Sequence, residues 1–300
     1  MHRMRTAWMS PTPTFQLNTY NLTAAPATRE AVPLLHELSI GVGWPHRPED
    51  WEVVIDLGTG VIARDEIGRV VGSALCTTRL DRLAHIGMVI TTPKLQELGA
   101  GRWMMEHVLE IAGDRLKVLN ATRAAYRLYI ALGFIPQGQV HQHNGKVTAC
   151  PAAPAPAKGA IREMTPDDHA AVHALDTAAF GAARPMVIDR ILPVSTGTVL
   201  EREGRVAGFA LCRRFGRGHV VGPIVAEDDN AAVALTAPHV RAHVGSFLRV
   251  DTRQPDGDFR AFLLAAGISH FDTVTRMTRD GTLPETGPAI TYALINQALG

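Results

Sequence analysis

The chain has 300 residues, which is enough for two domains of ordinary size. With 46% hydrophobic and 20% charged residues and a formal net charge of +1, it has the composition of a globular protein and lacks the basic balance of a nucleic-acid binder. No apolar run is long enough to cross a bilayer, so neither a membrane-spanning helix nor a membrane partner is predicted.

Residues 1–14 are predicted to be a flexible N-terminal lead. They include two early arginines but no apolar core of the kind that a secretory signal has. The three cysteines, Cys76, Cys150 and Cys212, are far apart, and an odd number without a CxxC pair favours neither a disulfide framework nor a zinc site. Reduced thiols and the lack of a signal core together predict a cytoplasmic protein.

The N-terminal half alternates strands and helices. Val70–Leu75 is predicted to be a strand entered through a glycine turn, and Ile86–Thr91 is predicted to be the next strand. After Pro93, apolar residues recur on one face from about Gln96 to Ala112, which predicts an amphipathic helix.

Shorter elements complete this half. Leu116–Leu119 is predicted to be a buried strand, and Arg123–Leu132 a helix that ends at the C-cap glycine Gly133. Residues 140–147 are predicted to form a hairpin about Asn144-Gly145, a dipeptide typical of two-residue turns. This order of strands, helices and a terminal hairpin predicts an α/β fold.

A segment rich in proline and alanine divides the chain. Residues 149–160 read ACPAAPAPAKGA, which favours extended polyproline geometry and predicts a linker. The linker separates a domain over residues 15–148 from a second domain over residues 161–281, and residues 282–300 form a C-terminal extension. The second domain is predicted to open with a helix after Thr165, because a hydroxyl N-cap precedes a proline and two acids.

The two halves repeat one pattern. Residues 68–76 read GRVVGSALC and residues 204–212 read GRVAGFALC, which are identical at seven of nine positions. Residues 87–90 align with residues 222–225 at an offset of 135, close to the offset of 136 of the first match. The chain is therefore predicted to contain two copies of one fold.

The segment Gln96–Gly101 reads QELGAG and lies between a predicted strand and the first turn of a predicted helix. The first turn of a helix has backbone N–H groups without an intrahelical acceptor and a partial positive charge, and both favour an anion. Gly99 and Gly101 have no Cβ atoms to keep such an anion away from the backbone. On its own, a Gly-x-Gly at a helix start more often reflects close helix–strand packing, so the interpretation depends on the surrounding residues.

With its surroundings, this segment resembles the acetyl-CoA signature of the GNAT N-acetyltransferase superfamily. The signature has Gln or Arg, two residues, Gly, one residue, and Gly or Ala, and it follows a proline placed as Pro93 is here. About 30 residues later, Leu128–Phe134 (LYIALGF) resembles the second signature of the family, a Leu-Tyr followed by a Gly-Phe. The resemblance covers roughly residues 16–148, and the repeat extends it to tandem GNAT proteins with a degenerate C-terminal copy. It implies an α/β (α+β) fold of two tandem GNAT domains, each a mixed, mostly antiparallel sheet flanked by helices.

The resemblance also implies roles for individual residues. The backbone of Val89, Ile90 and Thr91 would pair with the pantetheine arm of acetyl-CoA as an added strand does. Tyr129 would act as the general acid that protonates the leaving thiolate; the alternative is a helix residue with its hydroxyl in water. The backbone amides assigned to the pyrophosphate are those of Gln96, Glu97, Leu98, Gly99, Ala100, Gly101 and Arg102.

The second copy lacks the residues of the cofactor site. At an offset of 135, Gly99 corresponds to Ala234 and Gly101 to Thr236, and at an offset of 134 Tyr129 corresponds to Leu263. The acidic run at residues 227–229 would also repel a pyrophosphate. This half is therefore predicted not to bind CoA in the usual way and to shape the acceptor cleft or the assembly instead.

Candidate acceptor-site residues are mostly charged. Asp176, Arg184, Arg249 and Asp251 are the candidates in the C-terminal half, although the first two also suit solvated helix charges and the last two a surface pair. Asp251 ends a predicted strand, where sites on α/β sheets often lie. Trp44 is the candidate in the N-terminal half; the alternative is a loop anchored by a buried ring.

An amine must be neutral to attack a thioester, so a base is expected. His85 is the first candidate because it begins the strand expected to bind the cofactor, and the alternative is an exposed histidine at a strand edge. His141 and His143 share one face of a strand, but two ligands without a third do not make a metal site, and no metal is predicted.

The main hypothesis is an enzyme that transfers an acetyl or other acyl group from acetyl-CoA to an amine, either a small molecule or a protein lysine. The alternative is a non-catalytic module that senses acyl-CoA or a metabolite on a GNAT scaffold. Tyr129 favours the enzyme, because a sensor needs no acid. The sequence predicts no nucleic-acid partner, and it leaves open the acceptor and the choice between a monomer and a homodimer.

Overall fold

A computed structural model describes residues 13–17, 20–78, 82–156, 158–284 and 287–300. The described chain divides into two compact units. Unit 1 falls within residues 1–78 and 86–114, and unit 2 within residues 79–85 and 115–300. Residues 1–12 of the predicted N-terminal lead lie outside the described residues, and Thr14 already belongs to a strand. The domain boundaries drawn from the sequence stay predictions.

Unit 1 is a sheet with helices packed on it. The sheet order is β1-β2-β3-β4-β5, and the ladders from β1 to β4 are antiparallel. The first three residues of β5 belong to unit 2. The elements are β1 Thr14–Leu17, β2 Tyr20–Pro26, α1 Val32–Gly41, α2 Pro48–Leu57, β3 Thr59–Arg64, β4 Val70–Thr77, β5 Leu83–Thr91 and α3 Ala100–Ala112.

Unit 2 has the sheet order β6-β13-β7-β12-β14-β11-β10-β9-β8. Its described ladders are antiparallel except for a short parallel one between β11 and β12, so the predicted mixed, mostly antiparallel sheet is confirmed. The elements are β6 Leu116–Ala121, α4 Tyr126–Ala131, β7 Ile135–Lys146, β8 Ala160–Glu163, α5 His169–Phe180, α6 Pro185–Ile191, β9 Ser195–Arg202, β10 Arg205–Phe215, β11 Gly218–Ala226, α7 Asp229–Ala242, β12 Phe247–Thr252, α8 Asp258–Ala265, β13 Ser269–Arg279 and β14 Ile290–Ala293.

Within unit 2 the two halves of the chain exchange their terminal strands. Strands β7 and β13 are equivalent in the sequence repeat. Strand β7 follows residues 132–134, β13 follows residues 266–268, and these two segments align with each other. Strand β13 lies between β6 and β7, and β7 in turn pairs with β12. Each half therefore contributes a terminal strand to the sheet of the other.

The predicted hairpin about Asn144-Gly145 is wrong, because β7 runs through both residues without a turn. Asn144 pairs with Arg249 of β12, and Gly145 pairs with Leu248. A Cβ atom added at Gly145 would collide with the carbonyl oxygen of Gly267. This glycine therefore allows a close backbone contact instead of forming a turn.

Two predicted helix ends behave differently. Thr165 opens the second half as expected: the Asp168 carboxylate accepts hydrogen bonds from the Thr165 N–H at 2.8 Å and its hydroxyl at 3.2 Å, and a 3-10 turn leads into α5. Helix α4 begins at Tyr126, three residues later than predicted, and Gly133 closes it with φ of 82°. Among the described residues, no helix is long and apolar enough to span a membrane.

Candidate functional site

The loop before α3 holds two residues in the left-handed region. Glu97 has φ of 65° and Gly99, the N-cap of α3, has φ of 95°. Left-handed residues beside right-handed ones turn successive N–H groups toward one side, which is the geometry of an anion-binding nest. The predicted start of the helix at Gln96 is thus wrong, because the helix begins at Ala100 and residues 96–99 form the loop.

The first turn of α3 has backbone amides that precede the first helical hydrogen bond. The first internal hydrogen bond of the helix runs from Trp103 N to Gly99 O at 3.0 Å, so the amides of Ala100, Gly101 and Arg102 precede it. Residues 96–99 and Arg102 are exposed and Gly101 is half-buried, whereas Ala100 is buried. The helix dipole adds a partial positive charge at the same place.

An aromatic residue that the sequence analysis did not single out lies against this loop. Phe15 of β1 stacks on Trp103 of α3, with 5.4 Å between the ring centroids. A Cβ atom added at Gly99 would come within 3.4 Å of Cζ of Phe15. The sequence gives little signal for this contact, because Phe15 stands at the edge of a segment with no helical or strand period.

The loop is tied to the end of β5. The side-chain amide of Gln96 donates to the carbonyl oxygen of Thr91 at 3.3 Å. Upstream in the same strand, Met88 has φ of 52°, and its carbonyl accepts a hydrogen bond from the Ser73 hydroxyl at 2.7 Å. A positive φ at a residue other than glycine is sterically unfavourable and interrupts the regular strand. Unit 1 thus brings together residues 89–91 and residues 96–102, the two groups assigned to the cofactor.

Tyr129 lies in α4 of unit 2 and is only 5% exposed. Its ring meets Phe134 edge to face, with 5.9 Å between the centroids. Burial raises the pKa of the Tyr129 phenol well above its ordinary value near 10, so the hydroxyl keeps its proton at neutral pH. The alternative of a water-exposed side chain does not describe this residue, and its role as general acid stays a prediction.

His85 is buried, with 1% of its surface exposed. Within the described part of the chain its ring nitrogens make no hydrogen bond of standard geometry, but an interaction with the backbone of Ala298 favours the protonated form. Burial, and then the positive charge of Arg184, lowers the pKa of His85 to about 3. The imidazole is therefore neutral at physiological pH and takes up a proton only weakly, and its proposed role as base stays a prediction.

Asp176 and Arg184 pair with each other. Both carboxylate oxygens of Asp176 accept from the Arg184 guanidinium at 2.7 Å, and both side chains are almost fully buried. The remaining Arg184 donor reaches the carbonyl oxygens of Leu299 at 3.1 Å and Gly300 at 2.8 Å. These residues hold the C-terminal segment in place, and they are not the solvated helix charges of the alternative interpretation.

The other candidate acceptor residues also have partners. Arg249 donates to Asp251 at 2.8 and 3.0 Å, and the Asp251 side chain is fully buried, so this is not a surface pair. The Trp44 side chain is half-buried in the loop after α1. Its backbone N–H donates to Ser39 O at 2.8 Å. Neither arrangement tests an acceptor role.

His141 and His143 have a third histidine nearby. The ring centroid of His270 lies 6.1 Å from that of His141 and 5.6 Å from that of His143. The Nδ1 atoms have other partners, since Nδ1 of His143 contacts Ile268 O and Nδ1 of His141 contacts the Thr273 hydroxyl. No group of His, Cys, Asp and Glu side chains in the described ranges is arranged to hold a metal ion.

Comparison with known families gives two matches in tandem. Residues 32–134 match an acetyltransferase (GNAT) family, and residues 172–291 match an acetyltransferase (GNAT) domain. The chain is a tandem member of the GNAT acetyltransferase superfamily.

Individual relatives of this GNAT chain agree with the assignment. The uncharacterised N-acetyltransferase YitH of Bacillus subtilis strain 168 is 24% identical over 265 residues, which cover 86% of this chain and 91% of YitH. The crystal structure of a proposed acetyltransferase from Pyrococcus horikoshii has a TM-score of 0.73 at 20% identity, covering 95% of this chain and 97% of the other. A tandem GNAT protein from the clavulanic acid biosynthesis pathway has a TM-score of 0.62 at 15% identity, covering 87% and 99% of the two chains. At these identities the structures support the fold.

The C-terminal GNAT copy has a helix where residues 96–99 of the first copy form a loop. At an offset of 135, residues 96–99 correspond to residues 231–234, which are helical and buried because α7 begins earlier, at Asp229. The N-cap of α7 is Asp228, whose carboxylate accepts from the Ala231 N–H at 2.7 Å. The N-terminus of α7 thus lies earlier in the repeat than that of α3, and an acidic side chain of the chain itself caps it.

Proposed function

We propose that this GNAT protein transfers an acetyl group from acetyl-CoA to an amine acceptor by direct attack in a ternary complex. The observation that carries the proposal is the loop at the start of α3, where Gly99 is left-handed and the amides of Ala100, Gly101 and Arg102 precede the first helical hydrogen bond. Membership of the superfamily supports the reaction class.

The loop suits a pyrophosphate on physical grounds. Backbone N–H groups at a helix terminus donate hydrogen bonds to an anion and place it at the positive end of the helix dipole. The exposed loop leaves space for the ligand, and the hydrogen bond from Gln96 to Thr91 fixes the loop on the strand assigned to the pantetheine arm. When bound, acetyl-CoA supplies an activated acyl group as its thioester.

Tyr129 is the proposed general acid. In the reaction, the amine nitrogen forms a bond to the acyl carbon and loses a proton to a base or to water, the C–S bond breaks, and the thiolate takes a proton from Tyr129. A phenol keeps its proton over the physiological range and can donate it to the thiolate, although burial, which raises the pKa of Tyr129, makes it a weaker acid than a phenol in water. The acceptor class is a small-molecule amine or a protein lysine.

The proposal is tested by CoA release from acetyl-CoA against a panel of small primary amines, amino acids and lysine peptides. The wild type is expected to release thiol only when an accepted amine is present. Tyr129→Phe is expected to retain CoA binding and lose most of the turnover. CoA binding without release for any amine in the panel would instead support a non-catalytic sensor, and the absence of CoA binding would contradict both functions.

A further inference from the structure

The C-terminal strand β14 pairs with the part of β11 that the repeat makes equivalent to the proposed pantetheine edge. The register joins Ile224 to Ala293 and Ala226 to Ile290 in an antiparallel ladder. At an offset of 135, residues 224–226 correspond to Val89–Thr91. A segment of this chain thus forms main-chain hydrogen bonds along the edge that the proposed function assigns to the cofactor arm in the first copy.

Strand β14 also forms main-chain hydrogen bonds on its other side, with β12 and the residue that follows it. Strands β11 and β12 pair in parallel at residues 219–220 and 248–249, and β14 then lies between them. The N–H of Leu294 donates to Asp251 O at 2.9 Å, and the N–H of Arg253 donates to Tyr292 O at 3.0 Å. The segment therefore fills the space between two strands, as an added strand does.

The side chain of Tyr292 connects this strand to the start of α7. Its hydroxyl donates to Oδ1 of Asp229 at 2.9 Å, and Oδ2 of Asp229 accepts from the Phe259 N–H at 2.9 Å. The neighbouring carboxylate, that of Asp228, accepts from the Ala231 N–H. Acidic side chains thus occupy the first turns of α7 and α8, while the strand occupies the adjacent edge.

Gly222 shows how closely the segment approaches. A Cβ atom added at Gly222 would collide with the carbonyl oxygen of Leu294, which is backbone and has little freedom to move. Leu294 and Ile295 are at most 1% exposed. The glycine is therefore matched to the segment, as expected of a site built around an occupant.

We propose that residues 290–294 are a built-in surrogate ligand of the C-terminal GNAT copy. The strand takes the edge of a pantetheine arm, and the Asp228 carboxylate already caps the N-terminus of the neighbouring helix α7. The inference rests on the proposed function, because it is the first copy that defines where a cofactor would lie. It follows that the second copy is permanently occupied and that the chain binds one CoA.

The test is hydrogen exchange of the full chain, measured with and without CoA, together with calorimetric stoichiometry. In the wild type, the peptides that contain residues 224–226 and 290–294 are expected to exchange slowly, at rates that CoA leaves unchanged, and one CoA is expected to bind. Gly222→Ala is expected to speed exchange of both peptides at least tenfold. Gly138→Ala is the matched control, because this strand glycine has no atom within 4 Å of an added Cβ.

Tyr292→Phe is a milder variant in case Gly222→Ala does not fold. It is expected to speed exchange of residues 290–294 and of the first turn of α7 together, by about threefold or more. Two CoA molecules per chain, CoA-dependent release of residues 290–294, or exchange that stays unchanged at these sites in both variants would overturn the inference. If no CoA binds the wild type, the proposed function fails, while the coupled exchange still decides whether the segment occupies the site.

Discussion

The guanidinium of Arg184 forms two hydrogen bonds of 2.7 Å with the carboxylate of Asp176, eight residues earlier in the chain. Both side chains are nearly inaccessible to water, and the ring of Phe180 lies 3.8 Å from the guanidinium carbon. The pair also fixes the backbone of residues 299–300. It is therefore a buried support for the C-terminal segment.

Arg184→Met is expected to lower the free energy of unfolding by about 3–5 kcal/mol, because it leaves the Asp176 carboxylate buried without its partner. The double variant Asp176→Leu/Arg184→Met is expected to recover part of that loss. Urea unfolding measures both. Arg29→Met is the control, since Arg29 pairs with Asp56 on the surface and its loss should change little. An Arg184→Met variant that is as stable as the wild type would contradict this role.

Gly99→Ala is expected to weaken CoA binding at least tenfold. The residue has φ of 95°, where a side chain strains the backbone, and relief of that strain would displace the amides of the first turn of α3. Gly68→Ala provides a matched control, because Gly68 has φ of 82° and nothing within 4 Å of an added Cβ. Calorimetric titration with CoA separates the two variants. Equal affinities would mean that the loop geometry does not matter for binding.

Tyr129→Phe is expected to reduce kcat by about 100-fold or more, the usual scale of general acid catalysis, with less than about a threefold change in the Kd of CoA. Tyr126→Phe, on the same helix, is the control and should keep wild-type turnover. Steady-state kinetics with the best amine from the screen provides the measurement. Undiminished turnover in Tyr129→Phe would exclude the phenol as the acid.

The pKa of His85 predicts a dependence of stability on pH. The pKa is about 3 in the folded state, below the ordinary value of 6.5, so the unfolded chain binds a proton at a higher pH than the folded chain does. The contribution of His85 to the free energy of unfolding is fully present above pH 6.5 and is lost as the pH falls toward 3. Between pH 7 and pH 5 the free energy of unfolding is expected to fall by about 2 kcal/mol for this reason.

His85→Gln removes the titrating imidazole. The free energy of unfolding of this variant should therefore fall less steeply between pH 7 and pH 5 than that of the wild type. Urea unfolding at pH 7, 6 and 5 compares the variant with the wild type, and His169→Gln at a half-buried surface position is the control. Parallel pH profiles for His85→Gln and the wild type would show that His85 does not titrate in this way.

Much of the fold can be predicted from the sequence because it depends on local sequence patterns. The repeated GRV-x-G-x-ALC strand, the Gly133 C-cap and the Thr165 helix start all depend on neighbouring residues, and the structure places them as predicted. The predicted start of α3 is wrong because the periodicity continues into residues 96–99, whereas the left-handed residues Glu97 and Gly99 keep this stretch out of the helix.

The features that the sequence did not indicate depend on long-range contacts. Asn144-Gly145 suits a turn equally well, and only the backbone of Gly267 requires a glycine there. The pairing of Asp176 with Arg184 spans a turn between helices and has no helical spacing. Strand β14 is four residues long, too short to predict, and its position follows from the edges that β11 and β12 leave between them.

The central claim is that backbone amides at the start of α3 bind the diphosphate of CoA. The most direct measurement is an NMR titration of the 15N-labelled full chain with CoA, which follows the amide resonances of Ala100, Gly101 and Arg102. We expect these amides to shift most strongly, saturating at one CoA per chain, and the amides at Ala231–Ala234 to stay unchanged. An absence of binding, or saturable binding that leaves the three amides of α3 unshifted, would contradict the account.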